Sequence, residues 1–200
     1  MPRHFNQSER KEIEKRLTES AKQLFIHYGI NKTTINDITE KAQVGKGTFY
    51  LFFKSKGEIY MRVYIEEWEN VNEVIRQKYL NKKGELPELI LSYIFENRKQ
   101  LFNHPILSII YNRNTLSMIS DQSVLEQLEV FRQLSDSRLI GIIKSWFETN
   151  KVVTTVEPSV ISGMMRSLSY LNYHKDEIGD DIFDEVIRKF AQGITLVIKS

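Results

Sequence analysis

The sequence predicts an all-α protein, and three observations lead to that class. Apolar residues recur at three- and four-residue spacing through most of the 200 residues, and glycine or proline stands between those stretches. No alternation of apolar and polar residues is long enough for a sheet. The one β-branched run, residues 152–156, lies just before Pro158 and is interpreted as an extended connector.

The N-terminal helices are placed by their start and stop signals. A first apolar stripe runs from Ile13 to Tyr28, and Gly29 follows it as a stop signal. Two short helices, Ile35–Ala42 and Lys46–Phe53, are separated by three residues that end in a glycine, Gly45, suited to a tight interhelical turn. The spacing therefore predicts a tri-helical helix-turn-helix in an N-terminal domain of residues 1–54.

The rest of the chain, residues 55–200, is predicted to be a larger helical domain. A long helix begins near Ser55 and ends near Tyr79, and Pro87 suits the first turn of the next one. The further helices are expected at about 87–103 and 106–119, from about Val124 to Trp146, and at about 158–174 and 181–198, with a Lys175–Asp180 loop before the last.

Composition excludes several classes of protein. The sequence has 41% apolar and 27% charged residues and no cysteine, so it offers no disulfide framework, thiolate metal site or cysteine nucleophile. The four histidines are scattered without metal-ligand spacing, and no cofactor loop is present. No secretory signal and no spanning segment are found, so we expect a cytoplasmic protein that is not an enzyme and has no metal, cofactor or membrane partner.

Charge is distributed unevenly along the chain. Residues 1–60 hold eleven Lys and Arg against seven Asp and Glu, whereas the remaining 140 residues hold 17 against 19. A basic head on a slightly acidic body favours a head that meets phosphate. Counting noise among solvated helix faces is the alternative.

The chemistry-bearing residues concentrate between Thr34 and Ile59. Thr34 with Asp37, and Ser55 with Glu58, have the spacing of capping boxes at two helix starts. Phe49 and Phe53 are interpreted as core aromatics. Lysines at 54 and 56 flank the second cap, where a helix N-terminus adds free N–H groups, and such a corner suits a DNA phosphate.

From about Ala21 to Tyr60 the sequence resembles the tetracycline-repressor (TetR) family. The resemblance is carried by Ala21, Leu24-Phe25, Tyr28-Gly29, Thr33-Thr34-Ile35, Ile38, Ala42, Val44-Gly45-Lys46-Gly47-Thr48-Phe49-Tyr50, Phe53-Lys54-Ser55-Lys56 and Ile59. Two positions depart from the family pattern: Phe52 stands where His or Tyr is frequent, and Gly57 where an acidic residue is common. Phe52 either alters base preference or only packs.

The resemblance implies a sequence-specific DNA-binding regulator, by family default a repressor. Phosphates would be held by Thr34, Tyr50, Lys54 and Lys56, and base edges would be met by Lys46, Gly47 and Thr48. Each has an alternative: Tyr50 as a core phenol, Thr34 as a helix cap only, and Lys46 as a solvated lysine.

The resemblance also implies that the last two helices pair with their copies in a homodimer, which would let two heads read the half-sites of a near-palindromic operator in double-stranded DNA. The candidate interface residues are Val160, Met164, Leu168, Leu171, Phe183, Ile187, Phe190 and Ile194. An intramolecular core is the alternative for these stripes.

A pocket for a small-molecule effector would lie inside the body. Its candidate lining residues are Trp68, Phe95, Phe102, Tyr111, Phe131 and Trp146, and since no charged cluster stands out we expect a largely apolar effector. Binding would shift the population towards a conformation that releases DNA. Three alternatives stay open: a DNA-binding protein without effector, a helical interaction module that does not bind DNA, and, more remotely, an enzyme.

Overall fold

The computed structural model describes residues 5–111 and 122–199, and within these ranges every regular element is helical. The all-α prediction is confirmed. The elements are α1 (Gln7–Lys32), α2 (Ile35–Lys41), α3 (Lys46–Phe49), α4 (Lys56–Tyr79), α5 (Leu86–Asn103), α6 (Gln122–Thr149), α7 (Pro158–Tyr170), α8 (Lys175–Ile178) and α9 (Phe183–Lys199), with 3-10 helices at Leu107–Tyr111 and Leu171–His174.

The head is a three-helix unit in which α1 supports α2 and α3. Helix α1 is broken at Gly29, whose φ of 77° is a left-handed conformation that favours glycine, and this agrees with the predicted stop. The turn between α2 and α3 differs from expectation. Its left-handed residue is Gln43, with φ 55°, whereas Gly45 has φ −73° and is the N-cap of α3.

Arg16 holds that turn against α1. Its guanidinium donates to the carbonyls of Ala42 and Gln43, the latter at 3.1 Å. These carbonyls lie at the end of α2, where helix acceptors lack partners within the helix. The tight turn is therefore fixed by an arginine of the supporting helix, with no glycine at its left-handed position.

Two apolar clusters form the core, and α4 takes part in both. The first joins α1, α2 and α3 to the first half of α4, and it includes Leu101, Ile106, Leu107 and Val124 from the body. The second joins the second half of α4 to α5, α6, α7 and α9. Helix α4 is thus packed against the head at one end and inside the body at the other.

The aromatic residues at the end of α4 anchor the body cluster. Trp146 is fully buried, and its Nε1 donates a 2.7 Å hydrogen bond to the carbonyl of Tyr79. The rings of Tyr79 and Tyr93 lie edge-on to each other with centroids 5.3 Å apart. Burial raises the pKa of Tyr93 above its usual range. These contacts fix the position at which α4 ends.

Most predicted helix bounds agree with the structure, and three predictions need correction. Helix α3 ends at Phe49, and residues 50–52 continue as turn. The predicted Lys175–Asp180 loop contains the short helix α8. The helix predicted at 106–119 is a 3-10 helix at Leu107–Tyr111, and the part of the prediction from 112 onwards lies outside the described residues.

Candidate nucleic-acid interface and ligand cavity

Thr34 lies exposed at the start of α2, where it caps the helix. Its Oγ1 accepts a 3.2 Å hydrogen bond from the Asp37 N–H, and the Asp37 carboxylate accepts from the Thr34 N–H at 2.8 Å. The backbone and hydroxyl donors of Thr34 lower the pKa of Asp37. The predicted capping box is confirmed. The hydroxyl is exposed, so capping does not remove it from the surface.

The start of α3 presents small and polar groups. Lys46 and Gly47 are exposed and Thr48 is half-buried. Tyr50 is 50% exposed and lies edge-on against Phe49, with ring centroids 5.4 Å apart. Phe49 and Phe53 are buried in the head, as predicted. The buried phenylalanines therefore set the direction of α3, while the predicted DNA-binding side chains remain on the surface.

The two corner lysines have different environments. Lys54 is exposed, and its backbone N–H donates to the Glu58 carboxylate. Lys56 is half-buried: its Nζ donates to the carbonyls of Ile30 and Thr33 at 2.7 and 2.9 Å. Burial lowers the pKa of Lys56. The ammonium of Lys56 thus caps the carbonyl end of α1.

The cap at the start of α4 also differs from the predicted pattern. Ser55 Oγ accepts from the Glu58 N–H at 3.2 Å, as expected for half of a capping box. The returning bond from the carboxylate, however, goes to the N–H of Lys54, one residue before the cap. The chain entering α4 is therefore fixed at two successive residues.

The two departures from the TetR pattern have structural correlates. Phe52 packs against the head cluster, and the Arg10 guanidinium lies 4.8 Å from its ring centroid. A Cβ at Gly57 would lie 3.1 Å from Cγ2 of Val124, tighter than ordinary contact. The absence of a side chain at 57 lets the start of α6 approach the first turn of α4.

A polar network that the sequence analysis missed connects the head to the body. The carboxylate of Glu67, which is nearly buried in α4, accepts from Lys22 Nζ of α1 at 2.6 Å and lies 3.3 Å from His104 Nε2. His104 Nδ1 in turn accepts from the Ile106 N–H at 3.3 Å, and the Tyr60 hydroxyl donates to the Ile106 carbonyl at 3.0 Å. These residues are too far apart in the chain for any local spacing to show them.

The body contains a cavity of about 290 Å³ between α4, α5, α6 and α7. One part of its wall is aromatic, with Tyr64 and Trp68 lying edge-on to Phe131 at centroid distances of 5.3 and 4.8 Å. Another part is polar and includes Arg98 and Asp136. The wall is therefore amphipathic.

Three of the predicted lining residues, Trp68, Phe102 and Phe131, do line this cavity. Phe95 and Trp146 belong to the second core cluster and are not in its wall. Tyr111 ends a 3-10 helix, and its side chain lies outside the described part of the structure. No spacing rule predicts the three arginines of the wall, Arg98, Arg132 and Arg166, because they come from three different helices.

The candidate dimer residues fall on two sides of α7 and α9. Four of them, Leu168, Phe183, Ile187 and Ile194, are buried within the chain, so the intramolecular alternative describes them. Val160 and Phe190 are 52% and 55% exposed, and Met164 and Leu171 are half-buried. Tyr170 and Leu196 add exposed apolar surface on the same two helices.

Two features are absent from the part of the chain that the structure describes. No helix in residues 5–111 and 122–199 is both long and apolar enough to cross a bilayer. Over the same residues, no group of three His, Asp or Glu side chains is placed to hold a metal ion.

The architecture is that of a helix-turn-helix head on a helical body, and comparisons with known proteins agree with it. Residues 17–63 match the family described as bacterial regulatory proteins, tetR family. The Transposon Tn10 TetC protein of Escherichia coli is 31% identical over 109 residues, and the probable acrEF/envCD operon repressor of E. coli K12 is 31% identical over 61 residues.

These matches cover 52% and 30% of this chain and 55% and 27% of the relatives, so the chain spans about half the length of the first relative it matches. The transcriptional regulator FadR of Bacillus subtilis, solved in complex with stearoyl-CoA, is 15% identical with a TM-score of 0.60 over 93% of this chain and 97% of that one. That likeness shows a shared fold. The sequence match to the TetR family of bacterial regulatory proteins thus lies in the head, and the whole chain shares its fold with a solved regulator.

Proposed function

We propose that this protein is a homodimeric, sequence-specific DNA-binding regulator that dissociates from DNA when it binds a small molecule. One observation carries the proposal: the family match at 17–63 coincides with a head whose surface holds Thr34, Lys46 and Gly47 at the starts of α2 and α3 and Tyr50 at the end of α3. Tyr50 and Lys54 would position the head on phosphates, while Lys46 and Thr48 would meet base edges.

Two heads are needed because four-residue α3 reads few base pairs. A two-fold dimer places two such heads on the half-sites of a near-palindrome. The exposed apolar surface at Val160 and Phe190 supports pairing through the outer sides of α7 and α9. The buried predicted residues, such as Ile187, would support that surface from within.

Helix α4 would transmit the state of the cavity to the head. It contributes Tyr64 and Trp68 to the cavity wall, and both residues also belong to the first apolar cluster, which contains the core of the head. The Lys22–Glu67 pair ties α1 to the same helix. A ligand that displaces α4 would therefore move the heads relative to each other, which is a population shift between two body conformations.

Repression is supported by the relative that is itself described as an operon repressor. The proposal assigns no catalytic step to the chain. A regulator without an effector remains the second candidate, and the amphipathic cavity favours the ligand-gated form over it.

The test is selection of sheared genomic DNA from the source organism by the purified protein, followed by sequencing. We expect enrichment of a short inverted repeat by the native protein. Lys46→Ala and Tyr50→Phe change only exposed groups of the head and should abolish or blur that enrichment. Lys144→Ala, an exposed lysine of α6 in the body, is the matched control and should retain it.

Each outcome has a distinct meaning. A repeat recovered by the native and Lys144→Ala proteins alone supports the interface described above. Equal recovery of a repeat by all four proteins contradicts the interface described above. Enrichment of no sequence contradicts the operator proposal and favours the helical interaction module. Lys56 is unsuitable for this comparison, because removal of its ammonium also removes the cap on α1.

A further inference from the structure

The cavity wall carries an excess of positive charge. Arg98 of α5, Arg132 of α6 and Arg166 of α7 all line it, and Asp136 is the one carboxylate among the lining residues that the structure describes. Asp136 pairs with Arg166 and lies 3.5 Å from Arg132 Nη1. One carboxylate shared by two guanidiniums leaves the wall with a surplus of two positive charges.

The carboxylates that balance this surplus lie outside the cavity. Arg98 pairs with Asp184, whose side chain is 72% exposed, and Arg132 pairs at 2.6 Å with the half-exposed Glu129. Water screens such pairs on their exposed carboxylate side, so each holds its arginine only weakly. A carboxylate inside the cavity can therefore compete with them for the arginines.

Arg98 is the most buried of the three cations. Its side chain is 19% exposed, its Nε donates to Asn172 Oδ1 at 3.0 Å, and its guanidinium lies 4.7 Å from the ring centroid of Phe183. A guanidinium has five N–H donors in a fixed plane, which matches both oxygens of a carboxylate. The contacts with Asn172 and Phe183 hold that plane before any ligand arrives.

The remainder of the wall suits an apolar body. The edge-on aromatic group of Tyr64, Trp68 and Phe131 continues into Leu101 and Leu139. A volume of about 290 Å³ holds roughly ten water-sized groups at ~30 Å³ each. The ligand that fits is therefore small, with one anionic end.

We propose that the cavity binds a small organic anion: a carboxylate on an apolar body, of about ten non-hydrogen atoms in all by the volume above. The proposal revises the expectation of a largely apolar effector: the ligand would be apolar except for one carboxylate group. The inference rests on the proposed function only in calling the ligand an effector. Binding itself is measured without DNA.

The experiment compares matched probes that differ in the head group. Thermal unfolding and isothermal titration calorimetry of the full chain are carried out with 3-phenylpropionate, 3-phenylpropan-1-ol and 3-phenylpropylamine, and with octanoate, 1-octanol and octylamine. We expect both carboxylates to raise Tm and to bind at least tenfold more tightly than their alcohols, with the amines weakest, because the wall is cationic.

Three variants locate the head group. Arg98→Gln should weaken carboxylate binding tenfold or more and leave alcohol binding unchanged. Asp136→Asn removes the carboxylate that pairs with Arg132 and Arg166 and should strengthen binding of the carboxylate probes several-fold. A misfolded variant would bind them more weakly, so a gain in affinity cannot arise from loss of folding. Arg76→Gln alters an arginine of α4 that pairs with Glu73 on an exposed face and should change nothing.

Carboxylates that bind no better than their alcohols, or an Asp136→Asn variant that binds them more weakly, would overturn the inference. The DNA selection experiment is separate from these measurements. Carboxylates that bind but do not release the selected DNA would leave the cavity assignment standing and contradict ligand gating. Failure to select any DNA would contradict the proposed function alone.

Discussion

Lys54 and Lys56 are two residues apart, but the structure indicates different roles for their ammonium groups. We consider Lys54→Met and Lys56→Met, which keep an apolar stem and remove only the ammonium. Lys54 is exposed beside the start of α4, whereas Lys56 is bonded to the carbonyls of Ile30 and Thr33. Lys54→Met should therefore change DNA binding, and Lys56→Met should change stability.

The magnitudes follow from the contacts. Each lysine on a phosphate contributes about 0.9 to the slope of log affinity against log salt, so Lys54→Met on both heads of a dimer should reduce the slope by about 1.8. Between about 50 and 200 mM salt, the native protein would then lose about twelvefold more affinity than the variant. Lys56→Met removes two charge-assisted hydrogen bonds at a half-buried site, a loss of about 2 kcal/mol in the free energy of unfolding.

Two assays separate these effects. Fluorescence anisotropy with the selected operator, at several salt concentrations below Tm, gives the slope. Thermal unfolding gives stability, and about 2 kcal/mol corresponds to a fall of roughly 4–8 °C in Tm for a chain of this size. A Lys56→Met protein with native Tm and a slope reduced as much as that of Lys54→Met would refute the assignment and restore Lys56 as a phosphate ligand.

Three further predictions concern the packing between head, body and partner. Glu67→Gln should lower the free energy of unfolding, measured by urea denaturation, by about 1–2 kcal/mol, because Lys22 and His104 lose their shared carboxylate. The control Glu69→Gln, at an exposed position, should cost under about 0.5 kcal/mol, and equal losses would count against the network. Gly57→Ala should destabilise the protein by about 1 kcal/mol despite the better helix propensity of alanine, because the new Cβ would press on Val124. In a double-mutant cycle, Val124→Ala should relieve that cost, and additive effects of the two substitutions would rule out the contact. Phe190→Glu should convert the dimer to a monomer, as measured by sedimentation velocity, because it places a charge in the proposed apolar interface. Val74→Glu, at a similarly exposed apolar position on α4, should leave the dimer intact, and the reverse result would move the interface to α4.

Local features of the head could be predicted because they depend on neighbours in the sequence. The Thr34–Asp37 capping box and the N-cap at Ser55 require only residues three positions apart, and the structure contains both. The break at Gly29 needs only the conformational freedom of one residue. The same reasoning expected Gly45 to suit the interhelical turn, but it did not show that the left-handed residue of that turn is Gln43, whose carbonyl accepts from Arg16 of another helix.

Side chains that act across long separations could not be assigned in this way. From its place in the sequence, beside a helix start in the head, Lys56 was predicted to bind phosphate. In the structure its ammonium donates to carbonyls 23 and 26 residues earlier in the chain. A flexible four-carbon stem can point to either side of the chain, and only the packing of α4 on α1 selects one. Lys22 and Glu67 are 45 residues apart and show no pattern at all.

The sequence by itself determined the all-helical class, the head and the resemblance of that head to the TetR family, because periodicity, caps and a contiguous motif are properties of local chain segments. Only the tertiary structure decided which side of each apolar stripe the chain buries: Ile187 lies in the core while Phe190, three residues on, remains exposed. It also decided the character of the cavity. Arg98, Arg132 and Arg166 are single charges on three separate helices, and they become a charged site only because the packing of those helices brings them to one wall.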